Sequence, residues 1–220
     1  MRPLLFAAAL ALAAPAAAQI AVAVDASVGP SLSVIGASGT VQAQGIPIPL
    51  GRVEFPTAVG IDARLRADVH GRTWGGRVGV GYLGANDVFD GVAVFLDDGV
   101  DVAFVVASGE VTYRQPYGAG TVVAGLGPEV RVILDEGSAD RGLLRLLGDV
   151  RQSHVAVGGS LGIRFPVGAV VLGPEVRGGL ALTPLSDDRV EAFGGAIRLD
   201  GDFRFDHVSI SLTVAFRGTG

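Results

Sequence analysis

Neither cysteine nor lysine occurs in this 220-residue chain. The first absence excludes disulfide staples and thiolate metal sites. The second makes all 17 basic residues arginine, a side chain that keeps its charge in partly buried ion pairs. Histidine is scarce as well: His70, His154 and His207 are too scattered for a metal cluster to be read from their spacing. Against 17 basic residues stand 22 acidic ones, and the formal charge of -5 excludes the basic footprint of a nucleic-acid partner. Beyond the N-terminus no apolar run approaches the roughly 20 residues of a membrane helix. Aromatic residues make up only 6% of the chain, so their placement carries information.

The N-terminus is different. Arg2 precedes LLFAAALALAAPAAAQ, an apolar run ending on small residues, with Ala16 and Ala18 where a signal peptidase reads. Residues 1–18 are expected to be a secretory signal peptide cut before Gln19, and residues 19–220 a single domain. Losing Arg2 would take the formal charge from -5 to -6. No cysteine is present to carry a lipoprotein anchor.

What the chain has in abundance is glycine, 34 residues, and apolar residues, 49% with a mean hydropathy of +0.49. The apolar residues alternate. In VGIDARLRADVH, from Val59 to His70, the odd positions are all apolar, while Asp62, Arg64, Arg66, Asp68 and His70 are ionisable. A strand sends alternate side chains to opposite faces, so this stretch has one apolar and one charged wall. Similar patterns recur at 22–34, 73–82, 121–132, 154–165 and 208–216. Each is close to the 9–11 residues or so that cross an outer membrane as a strand.

Connections alternate in length. Short turns fall at 70–73, 114–118 and 165–168, and longer, acidic segments at about 35–57, 84–100, 134–152 and 183–190. Such alternation predicts an up-and-down barrel with short turns at one end. Trp74, Tyr113, Tyr117 and Phe165 flank the short turns and Phe216 closes the last strand, as interfacial girdle residues do. LGPEVR occurs at 126–131 and at 172–177, and VGPSLS at 28–33 shares its Gly-Pro. Proline cannot donate to a ladder, so each of these is expected at a bulge or rim. The segment 139–150 could form an amphipathic helical turn on the barrel lip, although an ordinary loop is favoured.

Eight strands are expected, near 20–34, 57–69, 73–83, 101–114, 118–133, 153–165, 168–182 and a last one ending at 216. The C-terminal stretch is too long for one crossing. Phe203 and Phe205 read as outward by odd parity and Val208 onward by even parity, which a turn at Asp206-His207 would reconcile. Ten strands are therefore the alternative.

With these features the chain resembles the bacterial outer-membrane β-barrels, the small porin-like proteins, over nearly all of Gln19 to Phe216. The last strand, SISLTVAF, resembles the signal read by the barrel-assembly machinery, although Arg217 to Gly220 follow its aromatic residue. The resemblance implies an all-β, up-and-down antiparallel transmembrane barrel in the cell outer membrane. It would be a monomer surrounded by membrane lipid and lipopolysaccharide.

Enzymatic chemistry is not expected. Gly158, Ser160 and Gly162 match G-x-S-x-G, but lie within an alternating strand with no helix to follow. Gly79, Gly81 and Gly84 match G-x-G-x-x-G without the helix a dinucleotide needs. Asp87, Asp90, Asp97, Asp98 and Asp101 cluster in one loop but lack EF-hand spacing. Asp187 and Asp188 have no histidine nearby in sequence. No catalytic, cofactor or metal residue is assigned.

The predicted inner wall carries Asp25, Asp62, Asp68, Glu110, Glu129 and Glu175 against Arg64, Arg66, Arg77, Arg114, Arg131, Arg164 and Arg177. Six acids nearly balance seven bases. An eight-stranded barrel is just wide enough to be filled by its own side chains, and buried charges must pair. A salt-bridged, closed interior follows, with a structural, adhesive or narrow-permeability role. The alternative is a soluble periplasmic lipocalin-like binder whose apolar wall lines a cavity for a hydrophobic ligand.

Overall fold

The alternation winds the chain into a closed antiparallel ring. A computed structural model describes residues 20–43, 46–54, 57–88, 100–134, 152–185, 189–192 and 197–217. The signal-peptide assignment at 1–18, the helical turn at 139–150, and Asp90, Asp97, Asp98, Asp187 and Asp188 lie outside the described residues. Ten strands follow in order: β1 (Ala21–Ala43), β2 (Ile46–Glu54), β3 (Ala58–His70), β4 (Trp74–Val88), β5 (Val100–Tyr117), β6 (Gly120–Ile133), β7 (Ser153–Val167), β8 (Val170–Ala181), β9 (Arg189–Ala192) and β10 (Ile197–Arg217). Eight of them form the wall, in the order β1-β3-β4-β5-β6-β7-β8-β10, and β10 pairs back onto β1 to close it.

The other two strands lie off the wall. β2 pairs with β1 from Gly36 to Ala43, and β9 pairs with β10 from Ile197 to Asp200. Over the same stretch β1 and β10 remain paired, to Ala43 and Ile197. The result is a four-stranded extension, β2-β1-β10-β9, rising from the end opposite the short turns. At about 3.3 Å per residue, the 21 residues of β10 greatly exceed one membrane crossing.

Strand count and parity are settled together by β10. It runs without interruption, and no turn falls at Asp206-His207, which pair with Val34 and Ser33. Phe203 and Phe205 are buried inside, on the same face as His207, Ser209, Ser211 and Thr213. Their expected outward orientation is thus corrected. The reason is physical: one end of the lumen is filled with apolar side chains, so an apolar residue there does not mark lipid.

The wall has the predicted polarity. Along β3 burial alternates residue by residue, with Asp62, Arg64, Arg66 and Asp68 inside and Val59, Ile61, Leu65 and Val69 about half exposed outside. A lipocalin-like cup requires the reverse, and that alternative is set aside. Two of the short turns are two-residue hairpins, Gly118-Ala119 and Gly168-Ala169, joining the pairs Tyr117–Gly120 and Val167–Val170. Gly118 and Gly168 have φ of 56° and 62°, a left-handed conformation that tight hairpins ask of glycine at the first turn position. Trp74 packs edge-on against Tyr113, with ring centroids 5.1 Å apart, in a girdle at this end. Leu65, flanked by Ala26 and Val80, tests the apolar belt. Leu65→Arg is expected to cost about 2–4 kcal/mol in vesicle-embedded unfolding titrations.

Candidate functional site

The chemistry of this molecule is inside it, and one local design sets it up three times. Gly60-Ile61-Asp62-Ala63-Arg64 on β3, Gly127-Pro128-Glu129-Val130-Arg131 on β6 and Gly173-Pro174-Glu175-Val176-Arg177 on β8 each read glycine, apolar, acid, apolar, arginine. The acid and arginine are two apart, so they share the lumen face. Each pair meets along its own strand: Asp62–Arg64 at 2.5 Å, Glu129–Arg131 at 2.8 Å and Glu175–Arg177 at 3.5 Å. The leading glycine sits where a neighbouring carbonyl comes too close for any Cβ: Gly84 O at Gly60, Gly109 O at Gly127 and Ile163 O at Gly173. Gly29, before Pro30 on β1, meets Ile210 O in the same way. Cross-strand pairing is interrupted at all four places. The Gly-Pro dipeptides therefore mark ladder gaps within strands, where a missing proline N–H costs nothing.

All thirteen ionisable side chains assigned to the inner wall lie there, twelve buried and Arg114 half-buried. They gather into two shells. The lower shell, toward the short turns, joins Asp25, Asp68, Glu110 and Glu175 to Arg66, Arg77, Arg114, Arg164 and Arg177. Arg66 donates to Asp25 at 2.5 Å, to Glu175, and to Thr213 at 3.5 Å. Arg164 donates to Glu175 at 2.8 Å, and Arg177 to Glu110 at 2.5 Å. Arg77 lies between Asp68 (3.3 Å) and Glu110 (3.4 Å), while Arg114 reaches Asp68.

The upper shell is smaller. Arg64 bridges Asp62 to Glu129 at 3.1 Å, and Ser209 donates to Asp62 at 2.9 Å. Arg131 donates to Glu129, to Phe205 O at 2.6 Å and to His207 Nδ1 at 2.9 Å. Because arginine can only donate, His207 carries its proton on Nε2, 3.9 Å from Asp62. The Arg131 guanidinium also lies 5.9 Å from the centre of the Phe205 ring.

Above it the lumen turns apolar. Phe104, Phe205, Leu83, Val106 and Leu185 are completely buried, with Phe203 and Ile35 nearly so. Phe104 packs at a tilt against Phe205, with ring centroids 4.7 Å apart, and edge-on against His154 at 5.2 Å. Both His154 ring nitrogens lack a partner among the described residues.

Glycine supplies the room these long side chains need. Arg66 lies over its cross-strand partner Gly79, and Arg64 over Gly81. Gly158 backs onto Glu129, Gly162 onto Glu175, and Ser160 donates to Glu110 at 3.0 Å. The G-x-G-x-x-G and G-x-S-x-G matches thus have a packing explanation. Among the described residues no group of three metal-ligating side chains comes together.

At the turn end the lumen opens into a cavity of about 400 Å³, lined by Asp25, Asp68, His70, Arg72, Arg114, Thr121 and Arg164 among others. Sequence reasoning did not foresee it. Arg72 lies in a turn and carries no parity signal.

No family model and no curated protein sequence matches the chain. Among solved structures it is similar to the outer membrane protein OprG from Pseudomonas aeruginosa, with a TM-score of 0.51, 15% identity, and coverage of 88% of this chain and 96% of that one. Neisserial surface protein A is similar at a TM-score of 0.40 and 12% identity, covering 86% and 97% of the two chains. The likeness to OprG is one of fold: this chain has the eight-stranded antiparallel barrel of an outer-membrane protein. Its apolar exterior and ionisable interior match what that environment requires.

Proposed function

We propose that this outer-membrane barrel is a sealed structural or adhesive element of the cell surface, not a channel and not an enzyme. The observation that carries the reading is the filling of the lumen beyond the cavity at its turn end. Two shells of charged side chains are followed by an apolar cap centred on Phe104 and Phe205. Most charged groups of the shells are held in ion pairs, and in the cap His154, packed edge-on against Phe104, is the buried polar side chain among the described residues there. Buried ion pairs are costly to desolvate and costlier to break, so such a filling holds its arrangement. The β2-β1-β10-β9 extension supports the adhesive half of the reading, because it lifts ordered backbone beyond the lipid-facing belt. The chain is secreted through its N-terminal signal, inserted by the barrel-assembly machinery through its last strand, and surrounded as a monomer by lipid and lipopolysaccharide.

The test is electrical. The refolded barrel in a planar bilayer is expected to give no stepwise current, with insertion verified by a band that shifts on boiling in SDS gels. Regular open-channel steps from heat-modifiable protein would overturn the sealed reading.

A further inference from the structure

The cavity at the turn end is chemically lopsided. Its lining contains three arginines, Arg72, Arg114 and Arg164, against two carboxylates, Asp25 and Asp68. Both carboxylates are already engaged. Asp25 accepts from Arg66 at 2.5 Å, and Asp68 accepts from Arg77 at 3.3 Å and from Arg114. The arginines retain unused capacity. The Nε groups of Arg114 and Arg164 have no acceptor among the described residues, and Arg164 is buried, its side chain only 6% exposed. Arg114, Arg164, Asp25 and Asp68 belong to the lower shell, which holds five arginines to four acids, and Arg72 at the mouth adds a sixth arginine. A buried, uncompensated positive charge is expensive unless something negative comes to it.

We propose that this mouth binds a small oxyanion, a phosphate or carboxylate group arriving from the periplasm. The donors converge from several strands. Thr121 on β6 pairs with Arg164 on β7, and Arg114 on β5 pairs with Val123, two residues along β6 from Thr121 on the same face. Arg72 reaches the cavity from the β3–β4 turn on another side, beside His70. Guanidinium groups match the geometry of both anion classes, and hydrogen bonds to charged groups are the strong ones. A volume of about 400 Å³ leaves room for the anion with part of its hydration shell, since one water occupies about 30 Å³. The site lies at the mouth and does not depend on the lumen being sealed.

Calorimetric titration of the refolded barrel, at constant ionic strength, with inorganic phosphate and separately with acetate tests this. One saturable site is expected. Saturation by phosphate alone assigns a phosphate ligand and by acetate alone a carboxylate; saturation by both assigns a general oxyanion site. Arg114→Gln is expected to weaken binding about tenfold, the loss of a charge-assisted hydrogen bond. Should that variant fail to show the boiling shift, Arg72→Gln, on the exposed turn, is decisive. It is expected to weaken binding about threefold while leaving the fold intact. No saturable heat with either anion overturns the proposal, as does unchanged affinity in correctly folded variants. A silent bilayer combined with no anion binding would overturn this site and leave the sealed reading standing.

Discussion

Replacing Glu175 by alanine is expected to remove about 3–5 kcal/mol of stability, the cost of leaving buried charges without their partner. Glu175 is the most connected acid of the lower shell, in contact with Arg66, with Arg164 at 2.8 Å, with Arg177 at 3.5 Å and with Arg77 at 3.6 Å. Its loss leaves five arginines to three carboxylates in a space where the side chains are almost inaccessible to water. Urea unfolding of the barrel in phospholipid vesicles, followed through the fluorescence of the single tryptophan, Trp74, would measure it. The double variant Glu175→Ala/Arg164→Ala restores the charge count and is expected to recover part of the loss. A cost below about 1 kcal/mol, typical of exposed pairs, would mean that water reaches the shell freely. The sealed-lumen reading would then fail with it.

Gly173→Val should be nearly as damaging for a different reason. A Cβ there would run into the carbonyl oxygen of Ile163 on the neighbouring strand. Backbone cannot rotate away as a side chain can, so the strands must separate at a point already lacking regular pairing. A loss of about 3 kcal/mol is expected, at the upper end for forced overpacking, and with it a reduced yield of the boiling-sensitive band. Gly109→Ala is the matched control. A Cβ at Gly109 meets nothing within 4 Å, so its effect should stay within about 0.5 kcal/mol. Equal damage from both would make loss of chain flexibility the cause and remove the close-approach argument.

Parity made much of this legible. Once Val59, Ile61 and Leu65 are placed outside, Asp62, Arg64 and Arg66 can only point in, and the same rule placed Glu110 and Arg164 correctly. Two hairpin turns were legible in place but not in extent: Arg114 to Tyr117 and Phe165 to Val167, expected in the turns, belong to β5 and β7. Parity failed at Phe203 and Phe205, because it assigned apolar side chains to lipid wherever they occurred. A lumen that changes from charged to apolar along its axis breaks that assumption. β2 was hidden for a related reason. In IPIPLGRVE the two prolines and the central glycine suppress the strand pattern, and the segment pairs only because β1 continues past the wall to receive it. The glycine, apolar, acid, apolar, arginine unit was visible as LGPEVR on β6 and β8. Its third copy, GIDAR on β3, has isoleucine in place of the proline and so does not repeat the motif letter for letter.

The fit of arginine over glycine in the lumen also bears on how such a chain changes through time. At Arg66 and Gly79, or Arg64 and Gly81, neither partner can be exchanged alone: a longer residue in place of glycine collides, and a shorter one in place of arginine leaves carboxylates bare. The lipid-facing positions between them are nearly interchangeable among alanine, valine, leucine and isoleucine. Selection on the interior therefore acts on pairs of volumes, and on the exterior only on greasiness. Sequences under such rules can share few letters and still take one shape, as this chain and OprG have the barrel fold in common at 15% identity.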